Sequence, residues 1–294
     1  MSLFPNELIK RSKELNHKDF IKENKGLCQD FLSSLHCKEW REPIQKIYKR
    51  CQEEKLLDKH FEKQAKISFH PRSWELYIGG LLLEAEKIER VTSSSKGPDF
   101  IISNNIQEKV YIECVTTKSG TRQDIIRQPQ SGVVFIPEDS KILCRISNSF
   151  NEKYNKYSTL IGREKVPYII AINIAEIDKL SFRESLNYTL KYCFAMGYPQ
   201  YSIKNSQYIG HTSRNQVHKT GGAKIILGPF LNNSFELCSG IIYSSNYIIE
   251  DLSFCGDICG FINNPFAKYP IEIEKFLNIE GYAVDKKINI QRTT

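Results

Sequence analysis

Several things are missing from this sequence, and each absence narrows its reading. No stretch approaches the roughly 18 consecutive apolar residues that would suggest a membrane helix. The N-terminus, MSLFPNELIKRSKELNHKDF, has no apolar core of the kind a secretory signal carries. Together these predict a chain without a membrane span, in the cytoplasm; secretion without a cleavable signal would leave no such trace. The nine cysteines are odd in number and irregular in spacing, which argues against a disulfide framework and suits reduced thiols inside a cell. Cys255 and Cys259 form the tightest pair, but no further zinc ligands accompany them. Internal repeats and low-complexity tracts are absent too. Between Glu184 and Glu236 there is no acidic residue at all.

What is present is the composition of a globular chain. Its 294 residues are 40% hydrophobic and 26% charged, enough for one large domain or two small ones with a sizeable core. The abundance of Lys, Asn and Ile is what an AT-rich genome produces and points to a bacterial source. A net charge of +7 and a pI of 8.8 are compatible with a nucleic-acid partner without requiring one. The acid-free interval is more telling. It holds Lys191, Lys204, Arg214, Lys219 and Lys224, interleaved with Tyr188, Tyr192, Tyr198, Tyr201 and Tyr208. Basic side chains neutralise phosphates and tyrosines stack on bases. Gly210 to Asn215 and Gly221-Gly222 read as loop, so the interval is either a substrate-facing surface or a polar loop that lacks acids. The interleaving favours the first.

The organising stretch is Arg72 to Lys118, which reads as helix, strand, turn, strand. Trp74, Ile78, Leu81, Leu82 and Ala85 fall on one side at helical spacing, with Pro71 and Ser73 as start signals. Glu75 lies beside that apolar face in the first turn. The strands are Asp99-Phe-Ile-Ile-Ser and Val110-Tyr-Ile-Glu-Cys-Val, joined by the turn-prone Ser103-Asn104-Asn105. Three carboxylates on rigid elements, Glu75, Asp99 and Glu113, can converge on a hard divalent cation if the pairing register brings the last two together.

Asp99 after Gly97-Pro98, then Ile112-Glu113-Cys114-Val115 at a strand end, with a glutamate on the preceding helix, resembles the PD-(D/E)xK restriction-endonuclease-like superfamily. The resemblance implies that Asp99 and Glu113 ligate Mg²⁺ or Mn²⁺, that the carbonyl of Cys114 adds a ligand, and that Glu75 assists. The family's lysine, two residues after the glutamate, falls here on Val115, a departure that bears directly on catalysis. Ser140 to Ile161 reads as an amphipathic helix with Ile146, Phe150, Tyr157 and Leu160 on its apolar stripe. Angular placement at 100° per residue puts Lys153 beside Ile146, inside the stripe. A lysine there either snorkels past the core or points at a charged group. Some members of the superfamily supply the lysine from this following helix, which favours Lys153 for the role, with Lys118 as its competitor.

The remaining segments complete the architecture. Met1 to Gln64 reads as mostly helical with charges of both signs, a solvated outer layer rather than a dedicated partner module. His60 and His70 near its end read as structural. Lys118 to Asp139 reads as a polar loop lying over the carboxylates, with Arg122 and Arg127 facing phosphate or surface carboxylates. Pro167 to Ala175 is a nearly continuous apolar run that suits a central strand covered on both faces. Ser181 to Met196 reads as a helix. Lys224 to Leu231, Gly240 to Ser245 and Phe261 to Ala267 read as added sheet and cover, with Asn263-Asn264-Pro265 as a turn starter. The order helix, strand, strand, helix, strand from about Ser68 to Ala175 matches the superfamily core. The expected fold is therefore α/β, a restriction-endonuclease-like core with a mixed central sheet flanked by helices. The expected organisation is an N-terminal helical region over 1–66 and a nuclease-like domain with C-terminal elaborations over 67–294.

The function implied is metal-dependent hydrolysis of phosphodiester bonds in DNA or RNA. Glu75, Asp99, Glu113 and Lys153 would form the catalytic set, and Arg122, Arg127, Lys204, Arg214 and Lys219 would contact nucleic acid. A homodimer is an assembly the resemblance admits, since relatives that cut both strands are commonly two-fold symmetric. The alternatives are a nuclease-fold binding or regulatory protein without chemistry, which Val115 supports, and a bacterial effector-type interaction protein. Against a lapsed site stands the retention of all three acids, because clustered buried acids without compensation are costly.

Overall fold

The computed structural model describes residues 2–93, 97–104, 108–120, 126, 139–177, 182–245, 259–285 and 289–293. Six helices come first: α1 (Asn6–Glu14), α2 (His17–Glu23), α3 (Gln29–His36), α4 (Lys38–Glu53), α5 (Phe61–Ile67) and α6 (Phe69–Glu84). Strands β1 (Arg90–Thr92), β2 (Phe100–Ser103) and β3 (Lys109–Thr116) lead to the long helix α7 (Asp139–Glu164), then β4 (Tyr168–Asn173) and α8 (Phe182–Phe194). Two short hairpins follow, β5 (Met196–Tyr201) with β6 (Tyr208–Ser213), and β7 (Gln216–His218) with β8 (Lys224–Ile226). The chain ends in β9 (Gly240–Ser244), β10 (Gly260–Asn263), β11 (Gly281–Val284) and β12 (Ile290–Thr293).

The architecture is mixed α/β. Its main sheet has eight strands in the order β1-β2-β3-β4-β9-β10-β11-β12. β2 runs antiparallel to β1 and β3, whereas β3, β4 and β9 run parallel to one another. The centre follows from β4, whose six residues are all buried. Strand side chains alternate between faces, so Tyr168, Ile170 and Ile172 enter the core under α7 and α8, and Ile169 and Ala171 enter the core under α6. A strand apolar on both faces belongs in the middle of a parallel sheet covered on both sides.

The N-terminal helices belong to the second of those cores. Phe4, Phe31 and Phe69 pack together at ring-centroid separations of 5.3 to 6.3 Å, and this cluster is continuous with Phe100, Ile112 and Ile169 on the sheet. Helix α6 lies between them, packed on β3 and against α3, α4 and α5. Its expected one-sided apolar stripe is in fact an almost complete apolar circumference, because elements cover it on opposite sides. It also begins at Phe69, before the expected start signals. Pro71 sits in the first turn, where the missing N–H would have had no intrahelical partner anyway. Gly79 permits the close packing: a Cβ there would stand 3.2 Å from Cys51 Sγ and 3.3 Å from the Phe100 ring.

Three expectations change. Gly240 to Ser244 is a strand, as its bounds suggested, but it is fully buried between β4 and β10 rather than an addition outside the core sheet. The run from Lys224 gives only three strand residues in a separate hairpin, with Ile226 exposed. Gly210 to Ser213, expected as loop, lies in β6, and its partner β5 accommodates Pro199 through irregular register. At Asn264 the turn reading holds in detail, since its side-chain oxygen accepts from Phe266 N–H at 3.0 Å and its amide donates to the Cys238 carbonyl at 2.8 Å. Among the described residues no helix is long and apolar enough to cross a membrane.

Candidate active site

The antiparallel register of β2 and β3 pairs Phe100 with Ile112. Asp99 stands immediately before β2, and Glu113 one step later on β3, so the two carboxylates come together in the carboxyl-terminal half of β3. They are joined through backbone. Asp99 N–H donates to Glu113 Oε2 at 3.2 Å, and Cys114 N–H donates to Asp99 Oδ2 at 2.8 Å. The segment before Asp99 is tied to α7, where the Tyr157 hydroxyl donates to the Gly97 carbonyl at 2.8 Å.

Helix α7 crosses above and brings Lys153 to Glu113, with Nζ 2.7 Å from Oε1. Glu113 is 1% exposed and Lys153 16%, so this pair is largely withdrawn from water. Lys156 lies 3.7 Å from the same oxygen but is half exposed and rests over the Tyr157 ring. Val115, where the resemblance expects a lysine, shares the face of Glu113 and packs into the core under α7. Helix α6 brings Glu75 to the same cavity from the other side of the sheet. Its carboxylate is held by Arg72, 2.6 Å away, and Arg72 also reaches Asp58 at 3.0 Å.

The cavity between these elements measures about 590 Å³. Its lining combines the acids Glu75, Asp99, Glu113 and Glu152 with the bases Arg72, Lys118, Arg145, Lys153 and Lys156. Burial, then the charges of Glu113 and Glu75, push the Asp99 carboxyl up to about 8. Glu75 is raised as well, by burial above all, although Arg72 pulls the other way. Burial works to lower the Lys153 ammonium, but the Glu113 carboxylate and the hydrogen bond to it more than offset this and leave it raised. The Cys114 thiol is held far above its ordinary range by burial and by the neighbouring acids. Its N–H is committed to Asp99.

The expected catalytic residues Glu75, Asp99, Glu113 and Lys153, and Cys114, expected as a ligand through its carbonyl, thus line one cavity, as does the competing Lys118, which is exposed at its rim. They do not form a closed ligand shell. Among the described residues no group of three or more His, Cys, Asp or Glu side chains is arranged to hold a metal ion. The convergent part is the pair Asp99 and Glu113, an all-oxygen donor set. Such a pair suits a hard cation that retains several of its own waters.

The residues expected to touch nucleic acid are dispersed. Arg122 and Arg127 lie outside the described residues. Lys204 is exposed in the turn between β5 and β6. Arg214 lies 3.8 Å from Asp139 at the start of α7, beside Lys191 at 3.0 Å and the Tyr188 hydroxyl at 3.0 Å, so it belongs to an ion-pair cluster that ties α8 and the first hairpin to α7. Lys219, in the second hairpin, stands next to α7. Of the five tyrosines, Tyr188 and Tyr192 are buried in the core, while Tyr198, Tyr201 and Tyr208 are exposed on the first hairpin.

Sequence reading passed over Arg72, Arg145 and Lys156. Their signal was spacing. Arg145, Ser149 and Lys153 recur every fourth residue of α7, as do Asn148, Glu152 and Lys156, and all six line the cavity. Arg72 and Glu75 are likewise a helical i, i+3 pair. No family model, curated protein or solved structure matches the chain.

Proposed function

We propose that this chain is a metal-dependent nuclease with a restriction-endonuclease-like core, in which Lys153 on α7 takes the place of the lysine missing at Val115. One observation carries the reading: Lys153 Nζ lies 2.7 Å from Glu113, whose other carboxylate oxygen accepts from the Asp99 backbone. The order α6, β2, β3, α7, β4 supports it. So does the exposed hairpin, where Tyr198, Tyr201 and Tyr208 accompany Lys204 in an acid-free stretch.

A divalent cation fits the residues present. Asp99 and Glu113 supply oxygen only, and a carboxyl driven to about 8 by burial and like charge is one that a cation would relieve. Asp99 and Glu113 would hold Mg²⁺ or Mn²⁺, and Glu75, clamped by Arg72, would steady the far wall. Bound there, the ion supplies Lewis acidity and a water of lowered pKa. The chain's own groups do the rest. Lys153, protonated beside Glu113, is placed to donate to a phosphoryl oxygen and to neutralise charge that develops on it. Asp99 is fixed by the Cys114 N–H, which sets its carboxylate before any ligand arrives. Lys118, Lys156 and Arg145 make the open side of the cavity attractive to a polyanion.

The test is cleavage of plasmid and of single-stranded DNA and RNA by the purified protein with Mg²⁺ or Mn²⁺. Asp99→Ala and Glu113→Ala should abolish cutting while circular dichroism stays native. Lys153→Ala should cost far more activity than Lys118→Ala. Equal activity of Lys153→Ala and the parent would overturn the assignment of the lysine.

A second reading has its own observation. Both Glu113 and Glu75 are already neutralised by cations of the chain, Lys153 and Arg72, as in a module that binds nucleic acid without cutting it. It requires gel shifts that persist with no cleavage in any divalent metal, and no Mg²⁺ or Mn²⁺ site by calorimetry.

A further inference from the structure

Arg145 borders two spaces. It lines the large cavity, and it also closes a cleft of about 30 Å³ formed with Lys141, Cys144 and Asn148 on α7 and with His218 and Lys219 on the second hairpin. The guanidinium is set in place by the chain after β3. It fills the position where a Cβ on residue 120 would stand, and Gly120 has a φ of 92°, a conformation that favours glycine. Lys141, Arg145 and Lys219 thus place their cationic side chains around a space suited to a single oxyanion and too small for a base. The hairpin that forms its far wall comes from the stretch that has no acid between Glu184 and Glu236.

We infer that this cleft is a subsite for a backbone phosphate flanking the one that is cut, so that the substrate strand runs along α7 from Glu113 and Lys153 towards the β7–β8 hairpin. The inference rests on the nuclease reading and deepens it. Along α7 the rise from Arg145 to Lys153 is about 12 Å, a few nucleotides at about 3.4 Å of rise per step on one strand. The two spaces share Arg145 and Asn148, so a strand can pass from one to the other along α7. Arginine is suited to the shared position because its fork bonds a phosphate bidentately.

The test is a walk of neutral linkages. Oligonucleotides carrying one methylphosphonate at successive positions around a fixed cleavage site are cut by the parent protein, Lys219→Ala and Arg145→Ala. At one flanking position the parent should lose on the order of tenfold in kcat/KM, as expected for one charge-assisted contact. The variants should no longer distinguish that neutral linkage from the charged one. Gly120→Ala, which displaces the guanidinium, should behave like Arg145→Ala, and thermal melts establish that each variant is folded. Fluorescence anisotropy of a labelled single strand in Ca²⁺ gives a readout free of turnover. There Lys219→Ala should lower the slope of log K against log salt by about 0.7. If the parent cuts and the variants discriminate as it does at every position, the subsite is overturned and the nuclease reading stands. If the parent cuts nothing, the nuclease reading fails, and an unchanged salt slope for Lys219→Ala then overturns the subsite as well.

Discussion

The ion pair between Lys153 and Glu113 can be tested by a double-mutant cycle of Lys153→Met, Glu113→Gln and the two together. Both changes roughly preserve shape and remove charge, so the pairwise term is isolated. Removing one partner of a fully buried pair costs about 3–5 kcal/mol. Here the cost is asymmetric. Lys153→Met leaves Glu113, 1% exposed, among Asp99 and Glu75, with the half-exposed Lys156 at 3.7 Å as its remaining cation. Lys156 recovers part of the loss, which brings the expected penalty to about 2 kcal/mol.

Glu113→Gln strands a lysine that still reaches water, and it removes the charge that helps to raise Asp99. The two effects oppose each other, and the expected cost is below about 1 kcal/mol. The double variant replaces the pair with neutral groups and should lie within about 1 kcal/mol of the parent. The coupling is then about 2 kcal/mol. Urea unfolding followed by tryptophan fluorescence measures it, because Trp74 is buried with its indole N–H on the Ala171 carbonyl, close to the site. Additive single effects, with Lys153→Met costing under about 0.5 kcal/mol, would show that the pair does not form in solution. The argument that α7 supplies the missing lysine would fall with it.

Two further predictions concern the acids and the core. The Asp99 carboxyl is raised to about 8 in the folded chain against an ordinary value of 3.8. The folded state thus holds a proton that the unfolded state gives up, so the stability linked to this group is full below about pH 4 and is lost as pH rises towards 8. A divalent cation competes with that proton, so the rise in Tm produced by Mg²⁺ should be larger at pH 8 than at pH 6 and should vanish in Asp99→Asn; equal rises at both pH values would refute the assignment. Gly79→Ala should gain about 1 kcal/mol of helix propensity but destabilise overall by about 1 kcal/mol, because overpacking costs about 1–3 kcal/mol and the buried Cys51 and Phe100 would have to give way by a few tenths of an ångström. Cys51→Ala in the same chain should recover the gain, and a stabilised single variant would show that α6 packs less closely than described.

How much of this was legible in the sequence depended on whether a local pattern decided the matter. The helix α7 was legible, and so was the anomaly on it, because a period of 3.6 places Lys153 among apolar neighbours whatever the helix packs on. What Lys153 points at was not legible. That depends on the β2–β3 register, and a slip of one residue would have sent Glu113 to the opposite face. The same limit explains β9. Gly240-Ile-Ile-Tyr-Ser has the continuous apolar run that marked β4 as central, but neighbours in a sheet are chosen by packing across long separations, so a central strand read as an added one. The hairpins β5–β6 and β7–β8 failed for a different reason. Few of their residues are buried, and in β5–β6 the register is irregular as well, so no period-2 pattern is imposed on residues such as Gly210 to Ser213. Freedom from core packing is also what allows them to carry exposed tyrosines and lysines. The segments that the hydrophobic pattern described worst are therefore the ones most available for contact with a substrate, whereas the acids, fixed between two cores, could be found from pattern and resemblance alone.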